Sequence, residues 1–220
     1  FSTSLNYAFQ RNKFVTTGQG TTSMYNSIMQ TPRDISIAEF KDLSDPFNMP
    51  DYYYTPYGVT NPYWVIENYL NNYEQERFYG NIQAEYEFLN HFRFTYRIGL
   101  DTNTGHHNFG EPNMSILFYD TPNYWNNDKI STTTGQVSES TTRRREIDQN
   151  FLLTYDQDVA ADWPLNAGLG FNGNERRYSS LAASGTNLTI PTWFDLSNSA
   201  EIPSVTTYKW KRRYMGILGS

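Results

Sequence analysis

The fold of this chain is decided by the stretch 78–101, FYGNIQAEYEFLNHFRFTYRIGLD. The positions between its apolar residues are mostly polar or charged. This period of two predicts a two-stranded antiparallel hairpin, broken at 89–91, with one apolar and one polar face. Each strand is about as long as a membrane-crossing β-strand, which has roughly 9–11 residues. The apolar face therefore meets either a protein core or lipid. The alternating apolar, aromatic or glycine positions are Phe78, Gly80, Ile82, Ala84, Tyr86 and Phe88, then Phe92, Phe94, Tyr96, Ile98 and Leu100.

The composition excludes some classes of function. The chain has 220 residues, no cysteine and a formal net charge of −6, so we expect neither disulfides nor nucleic-acid binding. It contains no run of about 18 apolar residues, so we expect no transmembrane helix. The mean hydropathy of −0.68 still fits a transmembrane β-barrel, because barrel strands alternate apolar and polar residues.

Six stretches carry a strand-like pattern. In the last of them, Tyr208, Trp210, Tyr214 and Leu218 lie on one face. Long and short connections alternate between the six stretches, which is typical of an outer-membrane barrel with short periplasmic turns and long extracellular loops. If the short connections are the periplasmic turns, the aromatic residues Phe88, Phe92 and Tyr155 lie at the periplasmic end. A short helix is favoured within 35–43. The predicted strands are 1–9, 76–88, 92–101, 146–155, 165–173 and 207–219.

The strand pattern already runs at residue 1 and still runs at the last residues of the sequence. We therefore expect an internal segment of a longer protein, without a signal peptide in the residues given.

Short motifs along nearly the whole chain, in this order and spacing, resemble SusC/RagA-like TonB-dependent outer-membrane transporters. In that family an NPYW loop leads into an R-F-x-G-N strand, a periplasmic turn and an x-Y-R-x-G-x-D strand. The segments that carry the resemblance are IMQTPRDI (28–35), NPYW (61–64), RFYGN (77–81), FRFTYRIGLD (92–101) and KRRYMG (211–216).

The resemblance implies an all-β fold that is part of a transmembrane antiparallel β-barrel, with about 22 strands in the whole protein. Residues 1–220 would be an internal fragment of the barrel domain, with the plug domain and the other strands outside it. The implied function is import of a large nutrient, a glycan or peptide fragment, through the outer membrane of a Gram-negative bacterium. The implied partners are a SusD-like surface lipoprotein, TonB through the plug, and outer-membrane lipid, and the transporter–lipoprotein pair can form a homodimer. No enzymatic activity, cofactor or metal is expected.

The aromatic residues of the long loops are the predicted substrate-binding residues. Tyrosine and tryptophan rings stack on sugar faces and also anchor protein interfaces. The alternative is that these rings pack loop on loop, or against the lipoprotein. The candidates are Tyr52, Tyr53, Tyr54, Tyr57, Tyr63, Trp64, Tyr119, Tyr124 and Trp125.

The polar face of the hairpin is predicted to line the lumen. A glycosidase needs two carboxylates flanking the scissile bond, but Glu85 and Glu87 fit a polar wall with charges paired across strands better. The predicted lumen-facing residues are Gln83, Glu85, Glu87, Arg93, Arg97 and Asp101.

Three other groups of charged residues receive plain interpretations. The adjacent His106 and His107 are expected in an exposed loop, without a third metal ligand at suitable spacing. The aspartates Asp156, Asp158 and Asp162 are expected in a solvated turn, because they lack calcium-loop spacing. The arginines at 143–145 are expected to begin a strand near the outer rim, where they face solvent, anionic lipid headgroups or an acidic partner.

Two other classes of protein remain as alternatives. A soluble all-β carbohydrate-binding module explains the aromatic residues and the alternation, but not the rhythm of the loop lengths. An all-β glycoside hydrolase would need an acid pair that the sequence does not convincingly supply.

Overall fold

The computed structural model describes residues 1–15, 23–50, 60–119, 128–160 and 163–220. The two α-helices and two of three short 3-10 helices lie between the first two strands. No helix in these ranges is long and apolar enough to cross a membrane. The 3-10 helix at Ile37–Lys41 falls inside the predicted helical segment 35–43. The elements are β1 (Ser2–Lys13), α1 (Met24–Gln30), α2 (Pro62–Asn68), β2 (Leu70–Phe88), β3 (Phe92–Tyr119), β4 (Asp128–Ala160), β5 (Trp163–Thr186) and β6 (Ser204–Gly219), with the other 3-10 helices at Pro46–Asn48 and Leu196–Asn198.

All six strands form one antiparallel sheet in which each strand pairs with its neighbours in sequence. The predicted hairpin is confirmed, with β2 and β3 paired from Phe88 opposite Phe92 to Leu70 opposite Gly110. The chain reverses through Leu89 and Asn90, whose φ angles are 52° and 58°. Successive positive φ values give a tight turn the twist that antiparallel strands need. The all-β fold class is therefore confirmed, as a six-stranded meander.

The strands are longer than the sequence pattern predicts. β3 continues to Tyr119 and β4 begins at Asp128, so most of the predicted connection 102–145 is paired strand. Its parts 102–108 and 138–145 are polar on both faces, so alternation of hydrophobicity cannot reveal them. Backbone hydrogen bonds between β3 and β4 hold the extension together. The connections at 89–91 and 161–162 remain shorter than those at 14–69, 120–127 and 187–203, as the alternation predicts.

The longer strands correct several predicted positions. His106 and His107 lie on β3 and not in a loop, and the arginines at 143–145 lie inside β4 and not at its start. Asp156 and Asp158 also lie on β4 and not in a turn, whereas Asp162 is outside the described residues. The NPYW motif opens helix α2 after Asn61 as N-cap.

One face of the sheet carries a broad apolar band. Phe88, Phe92 and Tyr155 form its first row, with ring centroids 5.3 Å apart for the two phenylalanines and 4.8 Å apart for Phe92 and Tyr155. The band is uncovered among the described residues: Tyr86 is 69 % and Ile217 79 % exposed. The next rows are Tyr86, Phe94, Leu153 and Leu169; then Ala84, Tyr96, Phe151, Phe171 and Ile217; then Thr3, Ile82, Ile98, Gln149, Gly173 and Met215.

The register of β6 decides which side of the sheet its aromatic face meets. Trp210 pairs with Tyr178 and Tyr214 pairs with Asn174, so both aromatic residues lie on the polar face of the sheet. The same holds for Tyr208 and Leu218, opposite Ser180 and Gly170. The apolar band continues on β6 through the alternate residues Met215 and Ile217. A shift of one residue in pairing exchanges the two faces of a strand, and the sequence of β6 alone does not fix that choice.

Candidate functional site

The predicted lumen-facing residues of the hairpin share one face of the sheet. Gln83 pairs with Arg97 and Glu87 with Arg93, which places their side chains on the side opposite the apolar band. Arg93 Nη2 lies 2.8 Å from Glu87 Oε1, and Gln83 Nε2 donates to Glu85 Oε1 over 2.7 Å. Both contacts are exposed. Arg93 neutralises Glu87, whereas the uncharged amide of Gln83 only donates a hydrogen bond to Glu85. Asp101, the sixth predicted residue, belongs to the same face opposite Tyr79.

Asp101 has a partner that the sequence analysis did not single out. Arg77 Nε and Nη2 donate to the two carboxylate oxygens of Asp101 over 3.0 and 2.6 Å. The guanidinium group also lies 4.8 Å from the ring centroid of Tyr79. Planar two-point contact of this kind fixes the orientation of both side chains.

A chain of amides and carboxylates continues the polar face across β4 and β5. Asn172 Nδ2 donates to Asn150 Oδ1 over 2.6 Å, and Asn150 Nδ2 donates to Asp148 Oδ1 over 2.5 Å. Asn174 Nδ2 donates to Glu146 Oε1 over 2.7 Å. The Oδ1 atom of Asn174 is buried and accepts no hydrogen bond from the described residues.

An aromatic–arginine ladder stands above this network on the same face. The rings of Tyr178 and Trp210 stack with centroids 5.9 Å apart and planes inclined by 20°. The guanidinium carbon of Arg144 lies 5.6 Å from the Tyr178 centroid, and that of Arg212 lies 5.0 Å from the Trp210 centroid. Flat apolar faces beside fixed cations can hold a sugar ring, an aromatic side chain or a carboxylate.

The sequence analysis missed this ladder as a site. Its signal was present as alternating aromatic and basic residues in 207–214, but this pattern does not say which residues of β5 lie beside them. Only the pairing of Trp210 with Tyr178 brings the two rings together.

The described loop aromatics lie in helix α2 at the start of β2. Trp64 is 7 % exposed and meets the ring of Tyr69 edge to face, with centroids 6.2 Å apart. Val65 and Met114 complete this buried cluster, and Tyr63 is half-buried. Trp64 thus packs within the loop, and direct contact with a substrate stays a prediction. Tyr52, Tyr53, Tyr54, Tyr57, Tyr124 and Trp125 lie outside the described residues, as does the side chain of Tyr119 at the end of β3.

Asn61 organises this loop. Its side chain is fully buried and Nδ2 donates to the carbonyl oxygens of Phe40 and Asn48 over 2.7 and 2.9 Å. Its Oδ1 accepts the backbone N–H of Tyr63 over 3.0 Å, which caps helix α2. One amide therefore ties the start of helix α2 to the backbone at Phe40 and at Asn48.

Two aspartates in the connections have lowered pKa values. The hydroxyl and backbone N–H of Ser44 donate to Asp42, and those of Ser197 donate to Asp195; in each case the hydroxyl contributes most to lowering the carboxyl pKa. These are turn and cap interactions that stabilise local structure.

The histidines on β3 have ordinary hydrogen-bond partners. His106 Nδ1 lies 3.0 Å from Thr141 Oγ1, and His107 Nε2 lies 2.8 Å from Asn71 Oδ1. The two side chains lie on opposite faces of the strand, so they cannot share one metal ion. Among the described residues, no group of three or more His, Asp or Glu side chains is placed to hold a metal.

Comparison of the chain with models of known protein families and with curated proteins finds no match.

Proposed function

We propose that this chain is an internal barrel segment of a SusC/RagA-like TonB-dependent transporter with about 22 strands in all. In this proposal the protein imports a large nutrient, a glycan or peptide fragment, through the outer membrane of a Gram-negative bacterium. A SusD-like lipoprotein covers the extracellular mouth, and TonB acts through a plug that lies outside residues 1–220.

The uncovered apolar band is the observation that carries the proposal. A soluble sheet with one apolar face needs a second layer over that face. Here the buried apolar cluster of the described residues lies at α2, whereas the band itself is exposed. Lipid is the natural partner for a wide apolar sheet face whose other side is charged.

The band is oblique in the way that a tilted barrel requires. On β1 the band extends to Phe9, and the cross-strand row through Phe9 reaches β6 at Lys209. On β6, however, the edge of the band lies at Met215. The edge of the band is therefore displaced by six residues, or about 20 Å, along the strand direction. This displacement occurs across five strand spacings of about 4.8 Å each. These lengths give a strand tilt of about 40°, within the 35–45° typical of membrane barrels.

The height of the band agrees with the same geometry. On β2 it extends from Phe78 to Phe88, which is about 33 Å along the strand. Tilted by about 40°, this length corresponds to about 25 Å along the membrane normal, the usual height of the apolar belt of such barrels. Phe88, Phe92 and Tyr155 at the tight-turn end then form the periplasmic aromatic girdle.

The polar face would line the transport path. Its ion pairs are exposed and its amide network is half-buried. The stacked Tyr178–Trp210 pair offers a flat surface for a sugar ring or an aromatic side chain. The loop aromatics Tyr63 and Trp64 remain candidates on the extracellular side.

A soluble all-β carbohydrate-binding module is the second candidate. The stacked Tyr178–Trp210 pair favours it, since such platforms bind sugars in soluble proteins as well. The uncovered apolar band speaks against it.

Spin labels distinguish these two candidates. The chain has no cysteine, so a single cysteine at Ile82 or at Gln83 can be labelled within this segment of the full-length protein. In a barrel in vesicles, the label at Ile82 collides with dissolved oxygen and the label at Gln83 with a water-soluble nickel complex. Equal access of both labels to the nickel complex would contradict the barrel.

Transport itself needs a cellular test. Uptake of fluorescent glycan and peptide fragments should require the intact gene and should stop when the proton-motive force is dissipated. Uptake that continues without the proton-motive force would exclude a TonB-dependent importer.

A further inference from the structure

A compact group of basic residues, here named the basic patch, lies directly above the apolar band on the same face. Arg145, Arg177 and Lys211 form one cross-strand row, and Arg143, Ser179 and Lys209 form the next. These six residues line an open groove of about 530 Å³.

The positive charge of this patch is only partly neutralised. Glu175 is the carboxylate within it, and it contacts Arg177, Lys211 and Arg213 at 2.5, 3.1 and 2.7 Å. In the part of the chain that the structure describes, no carboxylate is paired with Arg143, Arg145 or Lys209. Several cations thus share one anion, and an anionic ligand would relieve their mutual repulsion.

The patch is confined to β4, β5 and β6. Because the band is oblique, residues at the depth of the patch lie further along the other strands: Thr102 and Thr104 on β3, and Glu74 and Glu76 on β2. On β1, Arg11 is paired with Glu74 at 2.5 Å. A general interfacial girdle would carry similar residues on every strand. The difference between the two halves of the sheet indicates a localised binding site.

We propose that the basic patch binds the phosphate groups of a phosphorylated lipid headgroup in the outer leaflet. This inference rests on the proposed function, because it requires the apolar band to lie in the membrane with the patch at headgroup depth. Guanidinium groups match phosphate oxygens in two-point contacts, and cations near an anionic membrane surface bind it more tightly. The acyl chains of the same lipid would lie along the band below, against Phe171 and Met215.

The experiment uses the full-length protein in nanodiscs that contain phosphorylated lipid A or the same lipid after enzymatic removal of its phosphates. Lipid retained after detergent extraction is counted by native mass spectrometry. We expect the wild-type protein to retain the phosphorylated lipid and to lose the dephosphorylated one, and equal retention of both would overturn the proposal. This comparison needs no variant, so it does not depend on a mutant that folds.

A pair of matched variants locates the site. Arg143→Gln with Arg145→Gln removes two charges from the patch and breaks no ion pair among the described residues. We expect this double variant to retain the phosphorylated lipid roughly 25-fold more weakly, because each cation at a membrane surface strengthens binding about fivefold. Arg144→Gln with Arg212→Gln removes two charges from the polar face and should leave retention unchanged. If the two variants lose lipid equally, or if neither does, the patch is not the site.

Failure of this inference differs from failure of the proposed function. A protein that does not enter nanodiscs as a barrel, judged by heat-modifiable migration, contradicts both. A protein that enters them but shows no phosphate dependence contradicts only the lipid site, and an acidic protein partner then becomes the explanation of the charges.

Discussion

The ring of Phe194 lies directly over Gly110, where a Cβ atom would be only 2.3 Å from the Cγ of the ring. Gly110 is on β3 and Phe194 is in the connection between β5 and β6, so this contact closes the connection onto the sheet. Asn198 reinforces the fold of the connection through Nδ2, which donates to the carbonyl oxygens of Ile190 and Trp193 over 2.8 and 2.7 Å.

Gly110→Ala should therefore detach the connection from β3. The added methyl group must displace a ring, and overpacking of this kind costs about 1–3 kcal/mol. Hydrogen exchange should increase across 187–203 while the apolar band is unaffected. Gly216→Ala is the control, because a Cβ there meets nothing within 4 Å. Similar exchange in both variants would show that Phe194 does not hold the connection.

Arginine substitutions should distinguish the two faces of the hairpin. On the apolar face, Ile82→Arg or Tyr96→Arg should cost roughly 2–4 kcal/mol of folding free energy in lipid vesicles if the position is near the bilayer midplane. The neighbours Gln83 and Thr95 face the other side, and arginine at either should be far milder. The measurement is urea-induced unfolding of the full-length protein in vesicles. Equal losses on both faces would contradict a lipid-facing band.

Asn61→Ala should disorder the loop between β1 and β2. The change removes a helix cap and two hydrogen bonds, and leaves the Phe40 and Asn48 carbonyls without this donor, at about 2–4 kcal/mol in total. Limited proteolysis should cut faster within 36–69. Asn68→Ala is the milder control, since that side chain makes a single bond, to the Trp64 carbonyl, at the end of α2.

The turn at Asp195 should lose its protection against amide hydrogen exchange only under strongly acidic conditions. Hydrogen bonds from Ser197 lower the carboxyl pKa, so their stabilising effect is complete above the ordinary value of 3.8 and disappears as pH falls through the lowered pKa. Amide exchange of 195–198, corrected for intrinsic rates, should accelerate over that interval. Ser197→Ala should move the transition to higher pH, and Asp195→Asn should abolish it. An unshifted transition in Ser197→Ala would argue against the hydroxyl as the cause.

Part of the candidate site could be predicted from local pattern. The hairpin and the common face of Gln83, Arg97 and Asp101 follow from strict alternation across a short turn, because a turn of fixed length also fixes the register. The same register makes Arg77 a diagonal neighbour of Asp101, because Asp101 lies opposite Tyr79. The aromatic–arginine ladder did not follow, because the connection 187–203 leaves the register between β5 and β6 open.

The sequence alone determined an all-β chain, the apolar and polar faces of 78–101, and the position of the tight turn. Alternation within a strand settles these features, because neighbouring side chains must point to opposite faces. The tertiary structure decided how far β3 and β4 continue beyond their apolar parts, and which face of β6 joins the band. Those features depend on hydrogen bonds between distant strands, and a slip of one residue would have exchanged Trp210 with Lys211. The aromatic ladder on one face and the basic patch on the other are both consequences of that single choice of register.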